Sequence, residues 1–182
     1  MTTGPAHQAG AAADRMRRSR TLDAPPATIF AVLADPNEHQ HTEPTDWVRE
    51  AHDTAPLTDV GQVFGMRMFH VNAGGEYRMD NRVIAFEQDR VLAWEPGQYD
   101  DAGRLGTGGW TWRYDLAPVG GAGPGEDDAG DDTEPGTAVT LTYDWSGVPE
   151  PLRETFGLPP FGPEFLDDSL AALEARVTEL GR

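Results

Sequence analysis

Apolar and polar residues alternate along much of this chain, and a period of two predicts strands rather than helices. In Gln62–Val71 the residues Phe64, Met66, Met68 and His70 share one face. Asn72-Ala73-Gly74-Gly75 reads as a turn. Glu76–Glu87 then puts Tyr77, Met79, Asn81 and Val83 on one parity, and Gln88-Asp89 turns the chain into Arg90–Glu95, with Leu92 and Trp94 in phase. In Gly108–Val119, Trp110, Trp112, Tyr114 and Leu116 alternate with Thr111, Arg113 and Asp115. In Thr137–Trp145, Val139, Leu141, Tyr143 and Trp145 alternate with Thr140, Thr142 and Asp144. Strands joined by short turns, each with one polar side, predict an antiparallel meander.

Helical patterns frame these strands. Arg15–Asp23 predicts a short polar strand. Ala24-Pro25-Pro26 opens a helix, where proline costs no hydrogen bond. Ile29, Phe30 and Leu33 form its apolar stripe, and Asp35-Pro36 ends it. Asn37–Pro44 predicts a second short helix or loop, and Trp47–Asp53 a strand. Pro149–Pro163 is proline-rich and predicted irregular. Glu164–Leu180 has neither Gly nor Pro, and its Leu166, Leu170, Leu173, Val177 and Leu180 recur near helical spacing. It predicts one long amphipathic helix between Pro163 and Gly181.

The order strand, helix pair, strands, long helix defines an α+β class. We expect a curved antiparallel sheet of six to seven strands wrapped around a long C-terminal helix, with two short helices after the first strand. One helix cannot fill the concavity of such a sheet, so a cavity between helix and sheet is expected. The 182 residues fit a single domain over 14–182. Residues 1–13 read as a disordered tail and 120–136 as a flexible acidic loop. That loop has six acids and no aliphatic residue larger than Ala.

Charge narrows the functional classes. Fourteen basic residues, every one of them Arg, oppose thirty-one acidic ones for a net charge of −17. Such a surface repels phosphate backbones and anionic headgroups, so no nucleic-acid partner is expected. No run of about 18 apolar residues would insert into a membrane. Arg17-Arg18 is followed by polar Ser19–Asp23 rather than an apolar leader segment, and a cytoplasmic location is expected. With no cysteine, disulfides, thiol nucleophiles and Cys-type metal sites are excluded.

Several segments resemble one superfamily. Ser19–Pro36 (SRTLDAPPATIFAVLADP) resembles the opening of START-like, or SRPBCC, proteins. Asp59–Met68 (DVGQVFGMRM), Arg82–Glu95 (RVIAFEQDRVLAWE), Gly109–Val119 (GWTWRYDLAPV) and Thr137–Gly147 (TAVTLTYDWSG) resemble its later strands, in the same order. The branch resembled is the bacterial polyketide cyclase/dehydrase and lipid-transport-like group. The resemblance implies a Bet v 1-like, helix-grip fold and a hydrophobic cavity for a small organic ligand. It supplies no catalytic motif, and the fold alone does not define a function.

The candidate ligand-binding residues are those of the expected concave face: Trp47, Phe64, Met66, Met68, Met79, Asn81, Trp94, Trp110, Trp112, Tyr114 and Tyr143, with Leu166 and Leu170 from the helix. Aromatic rings and adaptable methionines suit an aromatic, polyketide-like or lipid-like ligand. His70 is the candidate general base for a cyclisation or dehydration, assisted by Tyr77. A one-residue register change would turn every such side chain to the other face. His39-x-His41-x-Glu43, with His52, is a weak metal pattern in a loop-like segment, and neither metal nor cofactor is expected. Arg67, Arg78, Arg82 and Arg113 fall out of phase and are expected on the convex side, paired across strands with Glu76, Asp80 and Asp115. Gly103–Gly109 reads as a turn. The rival function is a protein-interaction module of the chaperone-activator type that uses the acidic surface. A homodimer is left open.

Overall fold

The alternating segments become one antiparallel sheet. The computed structural model describes residues 14–119 and 136–182. The expected tail and, except for Gly136, the expected acidic loop lie outside the described residues. Strand β1 (Arg15–Leu22) is followed by α1 (Pro26–Ala34) and a 3-10 helix (Pro36–His41). Strands β2 (Val48–Ala51), β3 (Val63–His70), β4 (Gly75–Glu87), β5 (Val91–Tyr99), β6 (Leu105–Thr107), β7 (Thr111–Pro118) and β8 (Thr137–Asp144) come next. Helices α2 (Glu150–Phe156) and α3 (Glu164–Leu180) close the described chain. Seven strands lie in the order β1-β8-β7-β5-β4-β3-β2, and β6 pairs with β5 beside them. The sheet curls around α3, which is the helix-grip α+β architecture.

Register carries the inward face from strand to strand. Phe64 lies opposite Asn81, Met66 opposite Met79, and Met68 opposite Tyr77. Val83 faces Trp94. Trp94 faces Trp112 and Leu92 faces Tyr114. Trp112 faces Tyr143 and Leu116 faces Val139. A register shift between Val83 and Ala85 reverses the parity of β4. Beyond it Phe86 pairs with Leu92 and meets the Phe30 ring edge-on at 5.3 Å. An irregularity of this kind re-aims side chains without changing the strand.

The long helix buries Leu166, Ser169, Leu170, Leu173 and Val177 and packs against β1, β8 and α1. Edge strand β1 also fastens the helix by charge. Arg18 pairs with Asp167 at 3.0 Å and Arg20 with Glu174 at 2.6 Å. Arg176 of α3 meets Glu38 of the 3-10 helix at 2.5 Å.

Three local expectations are corrected. The proline-rich segment holds a helix, α2, because its prolines stand at the cap and in the first turn, and left-handed Gly157 ends it. Arg153 ties this helix to the carbonyls of Ser146 and Val148 and to Asp14. The Gly103–Gly109 turn contains β6, a strand too short to show a period. The outer ion pairs also run differently. Arg78–Asp80 and Arg113–Asp115 pair along one strand, each at 2.6 Å. Glu76 meets Arg49, and Arg82 meets Glu95 directly opposite.

Candidate functional site

A cleft of about 340 Å³ opens where the edge of the sheet meets the segment leading into α3. Thr45, Asp46 and Trp47 approach from the loop before β2. Phe69, His70 and Val71 come from the end of β3, and Pro160, Phe161 and Phe165 from the start of α3 and the chain before it. The volume lies at the lower end of small-molecule sites.

A hydrogen-bonded turn holds Trp47 in place. The Glu43 carboxylate accepts from the Thr45 N–H at 3.0 Å, the Thr45 hydroxyl at 2.6 Å and the Val48 N–H at 3.3 Å. The Trp47 N–H donates to the Thr45 hydroxyl oxygen at 3.1 Å. The Trp47 indole N–H in turn donates to the hydroxyl oxygen of Tyr77 at 2.5 Å. Burial pushes the Tyr77 phenol above its ordinary value, while the indole hydrogen bond pulls in the opposite direction. Tyr77 therefore remains a neutral phenol at physiological pH, with a proton to donate.

The rings form a connected wall. Trp47 lies 4.9 Å from His70, centre to centre. It stands at 72° to both Phe161 and Phe165, which stack on each other at 4.3 Å. Behind them, Phe161 stacks on Trp112 at 5.7 Å and meets Tyr143 at 5.0 Å.

Of the residues expected at the site, Trp47 and His70 line the cleft, Tyr77 joins through Trp47, and Trp112 and Tyr143 join through Phe161. Trp94 and Tyr114 stack deeper, 5.9 Å apart. Burial raises the phenols of Tyr114 and Tyr143 well above the ordinary range. Phe64, Met66, Leu166 and Leu170 are core residues. Met68 and Met79 are half-buried on the inward face opposite Tyr77 and Met66. Asn81 is buried and donates to the Phe64 carbonyl at 3.4 Å. Trp110 is half-buried against the core and meets the Phe156 ring edge-on at 6.0 Å.

Phe161 and Phe165 fall outside the sequence patterns that single out the other site residues. Phe161 sits among prolines, and Phe165 stands one residue before the leucine stripe of α3. Their only sequence signal was an aromatic pair four residues apart across Pro163.

The histidine pattern does not assemble as a site. His39 is buried, with its Nε2 2.8 Å from the Leu33 carbonyl oxygen. Its ring packs 5.2 Å from both Phe64 and Trp94. Desolvation lowers its pKa below 6.5 against weaker opposing effects of Leu33, Asp35 and Glu38. Glu43 is engaged in the turn that holds Trp47. Among the described residues, no three His, Asp or Glu groups converge as metal ligands.

A family model described as "Polyketide cyclase / dehydrase and lipid transport" matches residues 13–178. The chain belongs to this polyketide cyclase/dehydrase and lipid-transport family. A relative from Mycobacterium tuberculosis, the uncharacterized protein Rv0088, is 32% identical over 82 residues, which span 44% of this chain and 35% of that protein. Among solved structures, an Arthrobacter aurescens protein superposes with a TM-score of 0.62 at 16% identity, covering 92% of this chain and 87% of the other. Protein NE0264 of Nitrosomonas europaea gives 0.61 at 16% identity, over 92% and 96% of the two chains. The Aha1 dimer of Colwellia psychrerythraea gives 0.50 at 15% identity, over 90% and 95%. At these identities the likeness is one of fold alone. The polyketide cyclase/dehydrase and lipid-transport fold is a ligand-binding one. Among the described residues of this family member, no helix is long and apolar enough to cross a membrane.

Proposed function

We propose that this protein binds a small hydrophobic molecule, aromatic, polyketide-like or lipid-like, in the cleft at the mouth of the helix grip. The observation that carries this reading is the wall of Trp47, His70, Phe161 and Phe165 around about 340 Å³. Flat apolar surface of this kind gains from removing a ligand's rings from water. The His70 imidazole, Thr45 and Asp46 add polar groups to the lining, and the Tyr77 phenol stands against Trp47.

The same groups suit cyclisation or dehydration of a bound carbonyl compound. In this reading His70 accepts a proton from a carbon acid beside the carbonyl. Tyr77, held by Trp47, donates a hydrogen bond to the carbonyl oxygen as negative charge develops there. The site contributes further by folding a flexible chain into a reactive shape.

The test is calorimetric titration with 2-naphthylmethanol, a neutral planar probe, on the full chain and on Phe161→Ala. Binding by the parent that weakens at least about tenfold in the folded variant supports the reading, since truncated aromatic anchors often cost this much. Equal binding by both would move the ligand elsewhere.

A further inference from the structure

Carboxylates outnumber guanidinium groups at this cleft, with Asp46, Glu43 and Glu76 against Arg49. Among the described residues, Asp46 is the only Asp, Glu or Arg in its lining, which also holds the imidazole of His70, and the chain has no Lys. The Glu43 carboxylate lies directly behind Thr45. The neighbouring cation, Arg49, is ion-paired through its two terminal nitrogens, while its Nε is buried without a hydrogen-bond partner among the described residues. It binds Asp46 at 2.5 Å and Glu76 at 3.3 Å, and its guanidinium sits 4.5 Å above the Phe69 ring. Among the described residues no guanidinium lines the wall, and a carboxylate ligand would add charge to a −17 protein.

The ring geometry favours the opposite sign. Trp47 stands at 72° to the stacked Phe161–Phe165 pair. Two aromatic surfaces meeting near a right angle offer negative π faces from two directions. Cations, above all quaternary ammonium groups, are attracted to such faces. Local π surface and long-range field thus act with the same sign.

We propose that the cleft selects hydrophobic ligands carrying an amine or quaternary ammonium group over ligands of equal size carrying a carboxylate. This rests on the binding reading above and deepens it, since it names the charge of the ligand. The ammonium group packs at the angle between Trp47 and Phe165, and the apolar body lies along Phe161.

Three probes sharing one naphthyl body test it: (2-naphthylmethyl)trimethylammonium, 2-naphthylmethanol and 2-naphthylacetate, titrated against the full chain at low salt. The ammonium probe should bind about tenfold more tightly than the alcohol, a typical cation–π gain for a partly desolvated site. The carboxylate should bind most weakly. Added salt should narrow the spread, because screening reaches about 8 Å at physiological ionic strength. If the alcohol binds and the carboxylate binds as well as the ammonium, the charge selection is overturned and the binding reading stands. If none of the three binds, the binding reading itself falls. Trp47→Leu keeps apolar bulk and removes one π face, so it should erase the ammonium advantage over the alcohol. Phe165→Leu provides the same comparison if Trp47→Leu does not fold. An advantage retained in a folded variant of either kind would overturn the proposal.

Discussion

The indole N–H of Trp47 donates to the hydroxyl oxygen of Tyr77 at 2.5 Å, linking the loop before β2 to β4 across the intervening strand β3. The bond uses the tryptophan's only side-chain donor and leaves the phenol proton available to a ligand. It also fixes the plane of the ring that walls the cleft. Tyr77→Phe should therefore cost about 1 kcal/mol of stability, the usual net worth of such a bond. It should also weaken binding of a carbonyl-containing probe more than that of a purely apolar one. Denaturant titration and paired ligand titrations check this. An equal loss for both probes would remove the phenol from ligand recognition.

Burial raises the phenols of Tyr77, Tyr114 and Tyr143 above the ordinary value of 10.0. Tyr114 and Tyr143, which burial raises furthest, should not ionise in the folded protein as pH rises to 10. In an ultraviolet absorbance titration, Tyr114→Phe and Tyr143→Phe should leave the phenolate step around pH 10 unchanged. A smaller step in either variant would mean that water reaches that ring.

His39 gives stability a pH dependence of defined sign. Desolvation, the largest effect on it, lowers its folded pKa below 6.5. The unfolded chain takes up the proton first as pH falls, so protonation favours unfolding. The contribution of His39 is complete above about pH 6.5 and is lost progressively below it, with a slope of at most about 1.4 kcal/mol per pH unit. His39→Gln can still donate to the Leu33 carbonyl but cannot titrate. Its stability between pH 7.5 and 5 should fall less steeply than that of the parent. Identical slopes would show that His39 is charged in the folded state or exposed to water.

Leu170 separates core from site. It is 1% exposed beneath α3 and does not line the cleft. Leu170→Ala should cost about 2–5 kcal/mol, as buried leucine truncations do, while probe affinity in the remaining folded protein changes little. A large loss of affinity with little loss of stability would place ligand beneath the helix.

The strands could be read from the sequence because a half-buried sheet repeats every two residues. Trp112, Tyr114, Tyr143 and Leu141 occupy the inward positions that their alternation requires. The long helix was equally legible, since Leu166, Leu170, Leu173 and Val177 share a stripe and lie buried. Phe86 was not, because the irregularity after Val83 shifts the register of β4. Helix α2 was hidden by prolines that mark a helix start as readily as a loop. The cleft was only half legible. Trp47, His70 and Tyr77 belong to patterned strands or their ends, whereas Phe161 and Phe165 reach the site through tertiary packing that no local period encodes.

In the binding proposed above, ligand enters between the β2–β3 edge and the start of α3. The most direct measurement is an NMR titration of isotope-labelled protein with 2-naphthylmethanol. Saturable shifts should centre on the Trp47 indole N–H, His70, Phe161 and Phe165, with smaller changes at Tyr77. Shifts centred instead on the outer groove of Arg78, Asp80, Gln98 and Tyr99, or no saturable shifts at all, would contradict it.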